Sequence, residues 1–240
     1  MKQISCERIA LHYELLEHLA FGKLLEQQRF AFLSHASTVE RALECGGGDG
    51  RFVCRLLEVN PNVEVDFVDL SPAMVKLAEK RVGKMGVASR SRVRFCVGDI
   101  RDFRPRAEGY DLMVTHFFLD WFEEAELSEI VKLLASWLSH NALWMVSDFQ
   151  EAADPIRGLW SRGIIRCLYA VFRVATGLRV KRMPKYASLL ERQALKQGFR
   201  STSFGDLLYS SVWQECDRTS FIAYPSQIPA GNPEITTPGV

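Results

Sequence analysis

The sequence predicts a doubly wound α/β fold, in which helices cover both faces of a mostly parallel, seven-stranded sheet. Two observations carry this prediction. Between residues 39 and 150, short apolar runs alternate with stretches of helical periodicity, which is the order that a parallel sheet with crossover helices requires. Several of these runs also end in an acidic residue, and ligands of open α/β sheets bind at the carboxyl ends of the strands.

The first elements are one or two helices within residues 6–34. Apolar side chains recur there at helical spacing, at Ile9, Tyr13, Leu16 and Ala20. Gly22 is the point at which the segment divides if it forms two helices. The segment 1–38 is therefore a helical unit in front of the sheet.

The first strand leads into a loop that is rich in glycine. The strand ends at Glu44, and glycines follow at every second position, at Gly46, Gly48 and Gly50. Glycine tolerates positive φ and has no Cβ, so such a loop lets the backbone approach a ligand closely. The dinucleotide fingerprint GxGxxG does not fit, because Arg51 stands where its third glycine would fall.

Four more strands are predicted in the same region. The second strand, Val63–Asp69, ends in an acid, and a Ser-Pro pair after it opens a helix. The third, Val93–Ile100, ends in Gly-Asp-Ile, and the fourth covers Tyr110–His116. A helix over 123–139 and a fifth strand, Ala142–Phe149, follow.

The C-terminal part begins with an insertion at 154–185, opened by an Asp-Pro pair. Residues 186–197 are predicted to form a helix that Gly198 ends. Residues 199–223 are expected to supply an antiparallel pair of strands that closes the sheet. The tail, 225–240, is rich in proline and has no apolar periodicity, so we expect it to be disordered.

The strand ends, taken in order, resemble those of the class I S-adenosylmethionine (SAM) methyltransferases. The resemblance rests on the fourth strand and on three phrases: E-x-G-x-G-x-G at 44–50, D-x-S-x-x-M at 69–74 and Gly-Asp-Ile at 98–100. It extends over roughly residues 38–150. It implies a methyltransferase domain at 39–224, with the segment 1–38 as a helical lid over the cofactor.

SAM is the cofactor that the resemblance implies, with S-adenosylhomocysteine as its product. Glu44 then orders the loop or reaches the SAM amino group, and the three glycines make room for the ligand. Asp69 accepts hydrogen bonds from the ribose hydroxyls, Asp99 receives the adenine amino group and Ile100 packs on the ring. The remaining expected cofactor contacts are Leu70, Met74, Thr115 and His116. A solvated loop acid is the alternative for Asp69, and an N-cap is the alternative for Asp99.

His116 and Asp120, which lie at and just past the end of the fourth strand, are the candidate catalytic residues. His116 has an unperturbed pKa near neutrality and is a candidate general base. Its alternative role is packing or hydrogen bonding beside the methionine part of SAM. Asp120 is a candidate for orienting the nucleophile or His116, and capping the following helix is its alternative role.

The residues expected to contact the acceptor are Tyr13, Phe117, Trp121 and Arg166. For the aromatic side chains, packing in the core is the alternative. Arg166 belongs to a basic amphipathic helix in the insertion, where it shares one face with Arg162 and Arg173.

The basic segment at 157–185 suits an anionic ligand, an anionic membrane surface or a partner protein, and a solvated helix face is the plain alternative. Nucleic acid is disfavoured as a partner. The sequence has no basic motif interleaved with aromatic residues, and Thr115-His116-Phe117-Phe118 stands in place of the Asn/Asp-Pro-Pro-Tyr/Phe motif of amino-methylating DNA and RNA enzymes.

Composition narrows the class of protein. The net charge is +1, so bulk electrostatics do not make the chain a polyanion binder. Its six cysteines form no CxxC pair and no metal-ligand spacing, so we expect no metal and a reducing, cytoplasmic location. No signal-peptide pattern is found, and no apolar run approaches the roughly 18 residues of a membrane-spanning helix.

The predicted function is transfer of the SAM methyl group to a small-molecule acceptor, apolar or acidic, by in-line displacement. Because SAM carries its own leaving group, the protein's task is to position the nucleophile and exclude water. A protein-directed methyltransferase is one alternative. The other is a noncatalytic module that binds SAM or a nucleotide and acts through its basic helix.

Overall fold

The computed structural model of the chain describes residues 23–106, 109–152, 154, 158–167 and 186–215. Tyr13, most of the predicted lid, most of the insertion and the tail at 225–240 lie outside these ranges, so the predictions for them stay predictions.

The N-terminal half of the described chain contains helices and strands in alternation. In chain order they are α1 (Lys23–Phe30), a 3-10 turn (Leu33–Ala36), β1 (Arg41–Cys45), α2 (Arg51–Val59), β2 (Glu64–Asp69), α3 (Pro72–Gly83), α4 (Val87–Ser91) and β3 (Val93–Val97).

The C-terminal half supplies the remaining four strands. Its elements are β4 (Tyr110–His116), a 3-10 turn (Leu119–Trp121), α5 (Glu124–Ala135), β5 (Leu138–Phe149), α6 (158–167), α7 (Tyr186–Glu191), β6 (Leu195–Ser203) and β7 (Leu208–Glu215).

The seven strands form one sheet in the order β3-β2-β1-β4-β5-β7-β6. The strands β1 to β5 are parallel, whereas β7 runs antiparallel between β5 and β6. The strand order reverses between β1 and β4, and the crevice at such a switch point is where open α/β sheets bind ligands. The predicted fold class is confirmed.

Two predicted helices are wrong in their extent. The helix expected at 123–139 ends at Ala135, and strand β5 starts at Leu138. The helix expected at 186–197 ends at Glu191, and strand β6 starts at Leu195 and continues through Gly198. Gly198 lies where the pairing of β6 with β7 shifts register, so it marks a bulge in a strand and does not end a helix. The turn is made by Ala194 at a φ of 60°, a position without the glycine that would have signalled it.

Two apolar clusters cover the two faces of the sheet. The first packs helices α2 and α3 on the sheet and includes Phe52, Val65, Phe67 and Val114. The second packs α5 and α7 on the opposite face and includes Met113, Leu127, Ile130 and Trp144. Burial of these clusters from water supplies the main driving force for folding.

A third apolar cluster closes the carboxyl end of the sheet. It joins Leu25 of α1, Phe117 after β4, Phe149 of β5, Ile165 of α6 and Leu207 before β7. Segments from both ends of the described chain therefore meet above the strand ends. No helix in the described part of the chain is long and apolar enough to cross a membrane.

Helix α1 is fastened to the sheet by polar contacts as well. The main-chain carbonyl of Gln28 accepts hydrogen bonds from the hydroxyls of Ser210 (2.6 Å) and Ser147 (3.4 Å). Glu26 on the same helix forms an ion pair with Arg51 at the start of α2, at 2.9 Å. This part of the predicted lid is thus docked on the domain.

The buried Asp66 of β2 connects several elements of the sheet through its carboxylate. Its carboxylate forms ion pairs with Arg94 (2.6 Å) and Arg106 (2.9 Å) and accepts a hydrogen bond from the Tyr110 hydroxyl (2.6 Å). Burial and the neighbouring carboxylate raise the pKa of Tyr110, so the phenol remains a donor. Four elements of the chain are joined through this one side chain.

We expect Asp66→Asn to destabilise the domain by about 3 kcal/mol, because it leaves two guanidinium groups without their charge partner. Urea unfolding followed by circular dichroism measures the loss. Glu79→Gln is the matched control, since its ion pair with Arg90 is largely exposed and should contribute less than about 1 kcal/mol. Equal effects in both variants would contradict the assignment.

Candidate active site

The glycine loop between β1 and α2 is built for close approach. Gly46, Gly48 and Gly50 have φ values of 65°, 59° and 78°. A Cβ on Gly46 would lie 2.6 Å from the Phe118 ring, and one on Gly50 would lie 2.8 Å from the backbone of Ala78. A Cβ on Gly48 would meet no atom within 4 Å. Two glycines therefore serve internal packing, whereas Gly48 borders open space.

Asp69, at the end of β2, binds this loop directly. One carboxylate oxygen accepts the Gly48 N–H at 2.9 Å, and the other accepts the Ser71 N–H at 2.8 Å. Burial raises the pKa of Asp69, and the two backbone hydrogen bonds act in the opposite direction. The acid thus joins the ends of two neighbouring strands and retains lone pairs for further donors.

Glu44 lies beneath the loop in the interior. It is only 3% exposed, and its Oε2 atom has no hydrogen-bond partner among the described residues. Burial raises the pKa of Glu44 well above its ordinary value, although the charge of Arg29 works against that rise. A buried carboxylate oxygen without a donor is costly, so Glu44 is suited to a ligand that brings one.

Arg29 of α1 is a site residue that the sequence analysis did not identify. Its guanidinium lies 5.2 Å from the centre of the Phe117 ring, and its charge influences both Glu44 and His116. The sequence places it in a helix far from any strand end, and only the docking of α1 brings it to the site.

His116, the last residue of β4, is 9% exposed and packs edge-on against the Phe52 ring, with 4.7 Å between ring centroids. Its Nδ1 atom has no hydrogen-bond partner in the described part of the chain. Burial, assisted by the charge of Arg29, lowers the pKa of His116 to about 3. The imidazole is therefore neutral at physiological pH and a weak proton acceptor.

A charge network connects the loop with the helices on either side. Asp49 is 8% exposed and forms ion pairs with Arg51 and with Arg81, both at 2.8 Å. Arg81 also donates to the Asp49 carbonyl at 3.0 Å. Because Arg51 pairs with Glu26 as well, α1, the loop and α3 are held by one continuous set of contacts.

The other residues predicted to contact the cofactor, including Asp99 and Ile100 for the adenine, differ in their surroundings. Asp99 accepts from the backbone N–H of Arg101 (2.9 Å) and from its Nε (2.8 Å), and this side-chain contact lowers the pKa of Asp99. Ile100 is buried in the second cluster, whereas Leu70 is 71% exposed beside Asp69. Met74 is buried in the first turn of α3.

Thr115 lies inside the sheet and not in the crevice. It is fully buried, and its hydroxyl accepts a hydrogen bond from the Trp144 indole at 2.8 Å. The structure thus gives its side chain a packing role, and only its backbone stands beside His116 at the strand end.

The predicted acceptor-binding residues are only partly brought together. Phe117 is buried in the third cluster at a φ of 52°, and Trp121 packs against the same cluster. Arg166 is exposed on α6. Asp120, predicted to be catalytic, is buried in the turn after β4. Groups of three or more His, Cys, Asp or Glu that could hold a metal ion do not occur in the described ranges.

The chain is similar in sequence to known methyltransferases. Residues 42–141 match a family described as a methyltransferase domain. The malonyl-[acyl-carrier protein] O-methyltransferase of Halalkalibacterium halodurans is 34% identical over 110 residues, which are 45% of this chain and 38% of the relative. Human N-terminal Xaa-Pro-Lys N-methyltransferase 1 is 31% identical over 133 residues, which are 55% of this chain and 58% of the relative. The chain thus spans well under two thirds of these relatives.

Solved structures share the fold. An O-methyltransferase family protein from Burkholderia thailandensis has a TM-score of 0.62 at 16% identity, covering 87% of this chain and 61% of that one. The N-methyltransferase NodS from Bradyrhizobium japonicum, in complex with S-adenosylhomocysteine, has a TM-score of 0.59 at 18% identity, covering 89% and 97%. In its sheet order, its strand-end acids and the match of residues 42–141, the chain is similar to class I, Rossmann-like SAM-dependent methyltransferases.

The residues at the crevice fit such a cofactor. The unsatisfied Oε2 of Glu44 can accept from an ammonium group, and the open space over Gly48 leaves room for a ligand against the backbone. Asp69 offers a carboxylate to ribose hydroxyls from the end of β2.

We expect Gly48→Val to fold but to lose SAM affinity by at least about 100-fold, because its side chain fills the space beside the loop. The positive φ should cost roughly 1–2 kcal/mol of stability. Calorimetry with SAM and thermal unfolding measure the two effects. Gly50→Val is the contrasting variant, whose clash with the Ala78 backbone should primarily lower stability. Normal SAM affinity in folded Gly48→Val would contradict the placement.

His116→Gln should make stability less sensitive to acid. The folded-state pKa of about 3 lies below the unfolded value of 6.5, so the unfolded chain binds more protons, and stability falls as pH drops below about 6.5. This residue alone should account for roughly 2 kcal/mol of the loss at pH 5. Denaturant titrations of both proteins at pH 7.5 and 5 test the prediction, and identical pH dependence would refute it.

Proposed function

We propose that this chain transfers the methyl group of SAM to a small-molecule acceptor. The observation that carries the proposal is the hydrogen bond between Gly48 and Asp69, with Glu44 buried beneath it. It unites the loop and the strand-end acids into one site at the switch point of the sheet. The match of residues 42–141 to a methyltransferase domain supports the same activity.

We assign the cofactor-binding roles from the hydrogen-bonding capacity that each side chain has left. Asp69 binds the ribose hydroxyls while it holds the loop through Gly48. Glu44 accepts from the amino group of SAM, to which it presents its unsatisfied oxygen. Asp99 binds the adenine amino group through a lone pair that Arg101 does not use, and Ile100 supports the ring.

SAM, when bound, supplies an activated methyl group on a sulfonium. The chain then has to orient the acceptor and keep water from the reacting atoms. Phe117 and Trp121 belong to the apolar cluster at the strand ends, where they can form a dry wall beside the acceptor. The faces of these rings also suit a positively charged centre.

For His116 we propose the second of its two predicted roles. A side chain whose pKa is about 3 takes a proton from an amine or a hydroxyl only weakly, so general-base catalysis is the less suitable role. A neutral imidazole against Phe52 can instead pack and hydrogen-bond beside the methionine part of SAM. His116→Ala should accordingly raise the Kd for SAM more than it lowers kcat.

One sequence similarity supports a second class of methyl acceptor. Human N-terminal Xaa-Pro-Lys N-methyltransferase 1 is similar over 55% of this chain, so a protein N-terminus is the second candidate acceptor. A small molecule remains the first candidate, because the malonyl-[acyl-carrier protein] enzyme is the more identical over its matched residues. We also predict a cytoplasmic location, and we predict that the basic segment 157–185 contacts an anionic ligand, a membrane surface or a partner protein.

Two measurements test the activity. Calorimetry with SAM and S-adenosylhomocysteine establishes the ligand. Transfer of a labelled methyl group to a panel of amines, phenols, carboxylic acids and short peptides then distinguishes a small-molecule enzyme from a peptide-directed one. Binding of SAM without transfer to any panel member would favour the noncatalytic module.

Asp69→Ala should weaken SAM binding by roughly 10- to 150-fold, which corresponds to the loss of charge-assisted hydrogen bonds worth about 1.5–3 kcal/mol. The substitution also releases the N–H groups of Gly48 and Ser71, so the loop loses its tie to β2. Calorimetry on a folded variant gives the Kd. Glu64→Ala, at the exposed start of the same strand, should bind SAM normally. An unchanged Kd in Asp69→Ala would remove the ribose assignment.

A further inference from the structure

Two buried acids lie at the carboxyl end of the sheet, outside the cofactor residues described above. Asp148 is the penultimate residue of β5 and is completely buried. Asp120 lies in the turn that follows β4, the neighbouring strand, and is 6% exposed. Both therefore occupy the edge at which parallel sheets of this kind bind their ligands.

Contacts of the main chain hold the two acids together. The Asp148 carboxylate accepts the N–H of Phe149 at 2.8 Å and also the N–H of Asp120, so β5 fixes the turn that carries the second acid. The other oxygen of Asp148, Oδ2, has no hydrogen-bond partner in the described residues. Asp66, a buried acid of β2, has two arginines as partners.

Tyrosine rings form part of the surroundings of Asp148 within the described chain. Tyr209 of β7 stands opposite Asp148 in the strand pairing, and both acids raise its pKa further than burial alone does. The ring of Tyr186 stacks on Tyr209 with 6.0 Å between centroids, and its buried hydroxyl finds no partner within the described ranges. The Arg200 guanidinium lies 5.6 Å from the centre of the Tyr209 ring.

Burial, with the repulsion of Asp120 added to it, raises the pKa of Asp148 well above its ordinary value. Two buried carboxylates that repel each other do not both ionise readily, so the titration of Asp148 depends on the charge of Asp120. A pair of this kind lowers stability, and such arrangements concentrate at functional sites.

We propose that Asp120 and Asp148 form the proton-accepting pair for an amine acceptor, with Asp120 touching the amine and Asp148 positioning it. The assignment rests on the methyltransferase function proposed above. Asp120 is the member that keeps some exposed surface, so it is the one that an acceptor can reach. Asp148 acts behind it, through the backbone contact and through its charge.

The chemical step balances with these groups. An ammonium group transfers one proton to the Asp120 carboxylate, so an N–H bond breaks and an O–H bond forms. The nitrogen lone pair then attacks the methyl carbon, the N–C bond forms, and the electrons of the broken C–S bond stay on sulfur as a neutral thioether. The proton leaves to solvent before the next turnover.

Charge selects the acceptor class. An ionised Asp120 carboxylate attracts an ammonium group and repels a carboxylate. A carboxylic acid would also have no use for a base, because it is ionised at neutral pH. The pair thus narrows the acceptor from a general small molecule to an amine.

Stability measurements test the pair without a substrate. Because the folded-state pKa of Asp148 is raised well above its unfolded value, the ionisation of Asp148 lowers the stability of the wild-type protein as pH rises from 5 to 8. Asp120→Asn removes the repulsion but leaves Asp148 buried, so it should reduce that decline and have a higher Tm than the wild type at pH 8. Glu124→Gln, an exposed acid in α5, should leave both curves unchanged. A Tm loss in Asp120→Asn like that of Asp66→Asn would overturn the pair.

Kinetics test the role in proton transfer. On an amine identified by the acceptor panel, Asp120→Asn should lower kcat by at least about 100-fold while the Kd for SAM is unchanged. Asp148→Asn removes repulsion, so the acidic limb of the kcat profile should move to lower pH with a smaller loss of kcat. A carboxylic acid as the active acceptor, or full turnover in Asp120→Asn, would refute the inference.

The inference and the proposed function fail in different ways. Failure of wild-type SAM binding would remove the methyltransferase, whatever the acids do. If the wild type binds SAM and methylates an amine, but both variants keep the wild-type kcat and pH profile, the methyltransferase function stands and the role of the acidic pair is refuted. If no panel member reacts, the pH dependence of Tm decides whether the pair exists.

Discussion

The hydrogen bond from the Gly48 N–H to the Asp69 carboxylate is the contact on which the site depends. It joins the end of β2 to the loop that follows β1, and the same carboxylate orders the start of α3 through Ser71. The open conformation of the loop is therefore set by a strand-end acid and not by glycine alone. Glycine permits positive φ, and Asp69 selects the particular arrangement that is present.

Buried acids in this domain fall into two groups with different consequences. Asp66 and Asp49 have arginine partners, and each joins several elements of the fold. Glu44 and Asp148 each retain a carboxylate oxygen without a donor, and burial raises the pKa of both. The acids with arginine partners stabilise the domain. The acids with an unsatisfied oxygen lie at the strand ends, where a bound ligand can donate the missing hydrogen bond.

The sequence was sufficient for the parts of the fold that local pattern encodes. Strand ends at Glu44 and Asp69 could be located because apolar runs stop there and glycine or Ser-Pro follows. The extent of β6 could not, because Ala194 makes its turn without a glycine and Gly198 acts as a bulge within a strand.

The site was predictable to a similar degree. The acids of β1 and β2 follow from their position, and the same rule applied to β5 would have found Asp148. Arg29 carried no such signal, because it depends on how α1 docks. The sequence also could not show that the pKa of His116 is lowered. It predicted a pKa near neutrality, as expected of a general base, whereas the lowered pKa depends on burial against Phe52 and on the charge of Arg29.

The hydrogen bond between Ser210 and the Gln28 carbonyl has a consequence for how the domain is synthesised. The two residues are 182 positions apart, and Ser210 belongs to the last described strand, which lies between β5 and β6. A growing chain cannot complete this contact until β7 has left the ribosome. Until then one edge of β5 is unpaired and α1 lacks its hydrogen bond to β7, so the docking of α1 is completed only after nearly all of the described chain has been synthesised.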